Sequence, residues 1–338
     1  MLLPLNHLLP LLRPRLQELV GREAWQYVSS LAGELPPVWT AAMLEAHLGP
    51  AERRVDFLVS TRDLGQPALA AALAGGHPLP AAEPVLSLLA EWAQPETLLG
   101  RSAPSVCLEY DLPAGQLRPP FVFLGNFDCD GSGSRVAPPP PELRKLARRS
   151  RLLLADDRTE DRACELIERI SAALPPGGWI RFFASQWPSR PTEDMRVVAL
   201  VPFHQILPWL RRIGWPGEDR DWESIREILG DSLPRLQVHV DVGDRVRPRL
   251  GLEFPMVEPP DEGGCWAAFL KRLVRAGLSS RGKAAAMFDW AGRESVRVPG
   301  DAWRIQVQRE ALIKLVLDQG GALSAKGYAM FQAHHALF

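Results

Sequence analysis

Lysine is scarce in this 338-residue chain: it stands at five positions (Lys145, Lys271, Lys283, Lys314, Lys326) among 39 basic residues, the remainder being arginine. Tyrosine is scarcer still, at Tyr27, Tyr110 and Tyr328. The cysteines, Cys107, Cys129, Cys164 and Cys265, lie far apart without Cys-x-x-Cys spacing, which argues against a thiolate metal site or disulfide framework and for reduced thiols. A formal net charge of −1 leaves no basic balance to draw the chain to nucleic acid or an anionic membrane surface. No apolar run reaches the roughly 18–20 residues that a spanning helix needs. The apolar stretch Met1 to Leu12 lacks a charged leader and is broken by Pro4 and Pro10, so a signal peptide is not expected and a cytoplasmic protein is. The GxSxG, HExxH, P-loop and GxGxxG signatures are missing from any proper context.

What is present reads as a globular protein, 46% hydrophobic and 23% charged, long enough for one large domain or two. Most prolines fall between apolar segments, where they act as stops. Helical periodicity covers 15–34, with Leu16, Leu19, Val20, Trp25, Val28 and Leu31 on one side. A second helix is expected at about Thr40 to Leu48, and another from Pro84 to Leu99. On this basis residues 1–50 form an N-terminal helical segment packing on a main domain of 51–338. A short strand runs through Arg53 to Ser60. Thereafter a unit recurs: two strands, then helices. The pairs are Ser105–Leu112 with Phe121–Asp128, Trp179–Trp187 with Met195–Phe203, Leu236–Val242 with Arg247–Met256, and a final hairpin inside Trp303–Met330. Nine strands are expected in all. Helices are predicted between them at 142–154, 159–174, 204–213, 221–229, 264–276 and 281–289. Antiparallel pairs alternating with helices predict an α+β fold, either an open layer or a closed sheet.

Because alternate strand residues share a face, each pair can be divided. One face is apolar (Val197, Ala199 and Val201; Leu236, Val238 and Val240; Leu250, Leu252 and Phe254) and suits helix packing. The other carries Arg181, Arg196, His239, Arg249, Glu253, Lys314, Lys326 and Tyr328. This reading sets Ile180, Phe182 and Ala184 on the apolar face, opposite Arg181, Phe183 and Ser185. The polar face is either open to water or lines the lumen of an antiparallel β-barrel with the helices packed outside. Enclosed ionic groups must be paired or meet a charged ligand. A lumen holding several cations suits an anion such as diphosphate.

The final hairpin concentrates the signal. Its turn, Asp318-Gln319-Gly320-Gly321, tolerates positive φ. It holds two of the five lysines, Lys314 and Lys326, with Tyr328 on the face of Lys326.

Lys326-Gly327-Tyr328, with Lys314 across the hairpin and the strand pairs begun by Cys107-Leu108-Glu109-Tyr110-Asp111 and Val238-His239-Val240-Asp241, resembles the αββα-barrel aromatic prenyltransferases. The resemblance spans roughly 54–330 and implies a ten-stranded antiparallel barrel with the site in its lumen. It also implies transfer of an isoprenyl group from an allylic diphosphate to a small-molecule or peptide aromatic acceptor in specialised metabolism. Arg181, Arg196, Arg249, Lys314 and Lys326 would hold the diphosphate. Tyr328, Phe183 and Trp187 would shield the cation, since three tyrosines cannot build a multi-tyrosine shield. Glu109 and His239 would orient or deprotonate the acceptor. No cofactor is required, though Mg2+ is compatible. A non-catalytic peptide- or small-molecule-binding partner protein with the same fold is the alternative.

Other motifs have plainer readings. Asp128-Cys129-Asp130-Gly131-Ser132-Gly133 is similar to the start of a calcium loop, but its twelfth position is Pro139, which leaves a polar turn. Asp156-Asp157-Arg158-Thr159-Glu160-Asp161 reads as an acid-rich helix start more than as a Mg2+ motif. His334-His335 reads as a tail. Arg144, Lys145, Arg148, Arg149 and Arg151 form a solvated basic helix face.

Overall fold

The computed structural model describes residues 2, 5–51, 54–112, 118–125, 127, 138–154, 162–186, 188, 194–230, 234–256, 264–298 and 304–335. In chain order the elements are α1 (Leu5–Leu16), α2 (Arg22–Glu34), β1 (Ala41–His47), β2 (Val55–Arg62), α3 (Gln66–Ala74), α4 (Glu83–Trp92), α5 (Leu98–Ser102), β3 (Ser105–Asp111), β4 (Phe121–Gly125), α6 (Pro140–Leu154) and α7 (Arg162–Ala172). They continue with β5 (Trp179–Ser185), β6 (Met195–Pro202), α8 (Ile206–Arg212), α9 (Asp219–Leu229), β7 (Arg235–Val242), β8 (Val246–Met256), α10 (Cys265–Arg275), α11 (Arg281–Trp290), β9 (Gly292–Arg297), β10 (Arg304–Leu317) and β11 (Leu323–His335).

Strands β1 to β8 pair in sequence, β8 pairs β10, β10 pairs β11, and β11 returns to β1. The result is a closed, antiparallel, ten-stranded barrel. Closure removes the sheet edges that would otherwise template aggregation. The eleventh strand, β9, pairs only the first half of β10, Arg304–Arg309, while β8 pairs the second half, Ala311–Leu317. Laid end to end along β10, β8 and β9 occupy one track interrupted by α10 and α11.

The helices pack outside because the strands present an apolar outer face and each helix a matching stripe. In α7, Ala163, Cys164, Ile167 and Ile170 are buried at helical spacing; in α10, Trp266, Phe269, Leu270 and Leu273 are. These side chains join Val197, Ala199, Val238, Val240, Leu250 and Leu252 in one large core. A second, smaller apolar cluster (Leu58, Cys107, Phe121, Phe123, Ala184 and Val198, with Met43 and Phe182 against it) lies on the opposite face of the strands, inside the barrel.

Three expectations need correction. Residues 40–48 are not a helix: 41–47 form β1, which pairs with both β2 and β11 and closes the barrel. The boundary at residue 50 therefore falls after a barrel strand, and the first 50 residues are not wholly helical. Ala-rich composition favours helix locally, but Met43, Glu45 and His47 alternate with buried Ala42, Leu44 and Ala46, and two strand partners outweigh propensity. The second correction is β9, an unforeseen strand. The third concerns β5, where the register slips between Ile180 and Phe182. One extra residue at Arg181 reverses the later facing. Phe182 and Ala184 turn inward, and Phe183 joins the outer core, stacked on Phe127 with ring centroids 6.4 Å apart.

That bulge depends on Gly125 in β4. Its φ is +144°, and an added Cβ would lie 2.4 Å from the Arg181 carbonyl oxygen and 2.8 Å from Phe182 Cα. Gly125→Ala is expected to destabilise the fold by about 1–3 kcal/mol, as for overpacking at a site with no room to give, read as a lower urea midpoint. An unchanged midpoint would show that β4 and β5 can separate freely.

Candidate active site

Inward-facing side chains of the barrel form two zones. One is the apolar cluster, with Phe121 and Phe123 edge-to-face at 4.6 Å and Phe123 and Phe182 at 6.5 Å. The other is a buried ionic network, which opens into a cavity of about 700 Å3 at the end of the barrel where β1, β3, β7 and β10 finish and β2, β8 and β11 begin. A polar cavity of this size at the mouth of a barrel is a candidate binding site.

The network can be followed strand by strand. Arg196 on β6 donates two hydrogen bonds to Asp241 on β7, at 2.7 and 3.0 Å, and lays its guanidinium over Phe121 at 5.4 Å. Asp241 also lies 3.8 Å from Arg249, whose Nε donates to Asp318 at 3.3 Å. Lys314 on β10 donates to His239 Nδ1 at 3.1 Å and lies 3.5 Å from the Tyr328 hydroxyl. His239 Nε2 lies 3.2 Å from Glu253, whose second oxygen accepts from Gln237 at 2.9 Å. Lys326 on β11 donates to Glu45 on β1 and lies 3.9 Å from Asp56 on β2. The pairing follows from register: Lys326 is opposite His47 and Tyr328 opposite Glu45, while Lys314 is opposite both Lys326 and Glu253.

Electrostatics sharpen this arrangement. Burial alone would raise the Glu45 carboxyl, but Lys326 and Lys314 outweigh it and hold Glu45 well below the usual range. Burial, then the neighbouring Glu45, pushes Asp56 up to about 8, against the pull of Lys326, so Asp56 is a neutral acid at pH 7. For Asp241, Arg196 overcomes burial and brings the carboxyl down to about 2. Burial, then the charge of Lys314, pushes His239 down to about 4, leaving it neutral with Nδ1 as acceptor. Burial and Arg196 push Lys314 down to about 7. Shifts of this size within one lumen mark functional-site candidates.

Of the ten residues expected at the site, Arg196, Lys314, Lys326, Tyr328, His239 and Glu109 are brought together in the lumen, and Arg249 stands at its mouth. Arg181, at the bulge, lies over Phe182 at 5.6 Å, and its charge acts on Glu253. Phe183 cannot shield a lumen cation, because the bulge turns it into the outer core; Phe182, Phe121 and Phe123 hold the inward positions. Trp187 lies outside the described residues, as do the motifs at 128–133 and 156–161. Tyr110 is buried in the outer core, opposite in facing to Glu109. Sequence reasoning missed Glu45 and Asp56, and it gave Asp241 no role. It also missed Arg54 and Arg118, which line the cavity with Lys326 and Arg249.

Two overlapping sets could hold a divalent cation: Glu45, His47 and Asp56, and Asp56, Glu109 and Asp111, with ligand atoms within 4.8 Å of one another in each set. Their oxygen-rich composition fits Mg2+. The proton held on Asp56 among like charges is the group that such a cation would displace.

The closed antiparallel barrel with helices packed outside has the fold of the αββα prenyltransferase barrel. Among solved structures, the apo form of prenyltransferase PriB matches over 98% of this chain and 96% of its own at a TM-score of 0.56 and 11% identity. The ternary complex of PriB with L-tryptophan and dimethylallyl thiolodiphosphate matches over 97% and 96%, with a TM-score of 0.50 and 14% identity. At these identities the likeness is one of fold. No protein-family model matches the sequence, and no curated protein does. Among the described residues, no helix is long and apolar enough to cross a membrane.

Proposed function

We propose that this protein transfers an isoprenyl group from an allylic diphosphate to an aromatic acceptor. The observation that carries this reading is the convergence of Lys326, Arg249, Arg54 and Arg118 on one cavity of about 700 Å3, with Arg196, Lys314 and Tyr328 buried in the same lumen, in a barrel of this fold. The diphosphate of the donor would sit among the cavity cations, which stabilise the negative charge that grows as the C–O bond breaks. The isoprenyl chain would enter toward the Phe121, Phe123 and Phe182 zone, with the face of Tyr328 turned to the developing cation. Glu109, buried beside this zone on β3, orients the acceptor, a small aromatic molecule or an aromatic side chain of a peptide. His239 stands behind Lys314 and handles protons. If Mg2+ takes part, Asp56 with Glu45 and His47 or with Glu109 and Asp111 would hold it, and the metal would supply further charge neutralisation for the leaving group. Action in specialised metabolism, in the cytoplasm, belongs to this proposal.

A specific observation favours the second reading, a non-catalytic binding partner: the lumen cations already have carboxylate partners, Arg196 with Asp241, Lys326 with Glu45 and Arg249 with Asp318. One experiment separates the two. Incubation with a panel of isoprenyl diphosphates and aromatic acceptors, followed by mass spectrometry, is expected to show prenylated product. Arg249→Ala and Lys326→Ala are each expected to cut turnover by about a hundred- to a thousandfold, the scale of losing one donor that stabilises developing negative charge. Ligand bound unchanged by every donor would establish the binding-protein reading; full turnover in both variants would sink the site assignment.

A further inference from the structure

We infer that Lys314, His239 and Glu253 form a proton relay in which Lys314 receives the proton released by the acceptor, an assignment that rests on the prenyl-transfer reading. Lys314 had been expected to bind diphosphate, but its surroundings set it apart from the other buried cations. Arg196 and Lys326 each hold a carboxylate, whereas the hydrogen-bonding partners of Lys314, among the described residues, are an imidazole nitrogen and a phenol. The order of groups is directional. Gln237 holds one oxygen of Glu253 at 2.9 Å, the other lies 3.2 Å from His239 Nε2, and His239 Nδ1 faces Lys314 Nζ at 3.1 Å. This is the logic of a base held by an orienting acid through a histidine.

Access is built in. A void of about 10 Å3 is bounded by Arg196, His239, Asp241, Arg249, Gly251, Lys314 and Val316. It is about the size of one water. Asp241 and Arg249 also line the main cavity, so the void, with Lys314 in its wall, adjoins that cavity at these two residues. Gly251 keeps this geometry open, since a Cβ there would stand 2.7 Å from Lys314 Cε.

Groups from five other strands face Lys314 and set its protonation: Arg196 on β6, His239 on β7, Glu253 on β8, Lys326 and Tyr328 on β11, and Glu45 on β1. Burial, then Arg196, lowers its pKa to about 7; Glu45 and Glu253 oppose, and Lys326 adds to the lowering. An amine in that range is a competent proton acceptor at neutral pH. In the step itself the acceptor's attacking atom bonds to the isoprenyl carbon and the C–O electron pair leaves with diphosphate. The acceptor proton passes through one water to the Lys314 lone pair. Nδ1 of His239 then takes a proton from the ammonium as Nε2 releases one to Glu253.

With only five lysines, 13C-methyl-lysine or 13Cε-lysine NMR resolves Lys314 directly in the full-length protein. One resonance is expected to titrate near pH 7 and to vanish in Lys314→Met, an apolar near-isostere chosen to keep the fold. In the transfer assay, kcat is expected to rise with pH through about 7. Lys314→Met is expected to lower kcat at least a hundredfold and abolish this limb. Glu253→Gln removes a group that raises the amine's pKa, so it is expected to move the limb to lower pH; a purely structural Glu253 would leave the limb in place. Wild-type turnover that Lys314→Met retains, or a Lys314 resonance titrating only near 10, overturns the relay and leaves the transfer reading intact. Absence of wild-type turnover with every donor overturns the transfer reading and the relay with it.

Discussion

Arg196→Met alone is expected to destabilise the protein by about 3–5 kcal/mol, the cost of leaving a buried charge without its partner. Arg196 and Asp241 are both buried, share two hydrogen bonds, and raise and lower each other's proton affinity in the expected directions: burial favours neutral forms, yet Asp241 holds Arg196 well above its usual range, and Arg196 brings Asp241 down to about 2. After Arg196→Met, the cations still acting on Asp241 among the described residues are Arg249, at 3.8 Å and at the cavity rim, and then Lys314. The pair as a whole is a weaker contributor than either half suggests, because both charges had to leave water. The double variant Arg196→Met/Asp241→Leu is therefore expected to recover most of the loss. Urea unfolding of the two single variants and the double variant closes the cycle. A single-variant loss under about 1 kcal/mol, or a double-variant loss equal to the sum, would show that the pair does not act as a buried unit.

Much of this arrangement was legible in the sequence because period-2 patterning is local. Val238, Val240 and Leu236 against Gln237, His239 and Asp241 set the facing of β7, and Leu250, Leu252 and Phe254 against Arg249, Gly251 and Glu253 set that of β8; the structure keeps both. The final hairpin kept its register for the same reason, with Gly321 at φ +78° in the turn. Two kinds of information were not local. Strand β1 is alanine-rich and gains its conformation from β11, some 280 residues downstream, so propensity alone favoured a helix. Its alternation was present in Met43, Glu45 and His47, and reading it would have supplied Glu45 and the tenth strand. The bulge at Arg181 has no side-chain signature in its own strand. Its cue is Gly125, on a different strand, whose missing side chain admits the Arg181 carbonyl. One inserted residue exchanged Phe183 for Phe182 at the lumen. Charge pairing was equally hidden: the polar face showed which side chains enter, but not that Glu45 would meet Lys326 or Asp241 would meet Arg196.

The carboxyl of Asp56 yields a prediction with the opposite sign to the usual aspartate. Asp56→Asn is expected to stabilise the protein by about 2–5 kcal/mol at pH 8, with little effect near pH 4. Burial, then Glu45, raises its folded-state pKa from 3.8 to about 8, with Glu109 and Asp111 adding and Lys326 opposing. The folded state therefore retains a proton that the unfolded chain gives up above about pH 4. Its relative stabilising contribution is complete below 3.8, declines as pH rises, and is exhausted above about 8. Thermal unfolding of wild type and Asp56→Asn from pH 4 to 9 is expected to diverge progressively and then run parallel; curves already parallel from pH 5 would place the proton elsewhere in the acid cluster. The same proton governs the cavity. Asp56 lines it beside Lys326, with ligand-capable acids around it. While neutral, Asp56 leaves Lys326 shared between Glu45 and an incoming anion; once ionised, it competes for that ammonium and adds a like charge against diphosphate. Donor diphosphate affinity is thus expected to fall several-fold between pH 7 and 9 in the wild type and to change less in Asp56→Asn, measured by calorimetric titration with a non-reactive diphosphate analogue.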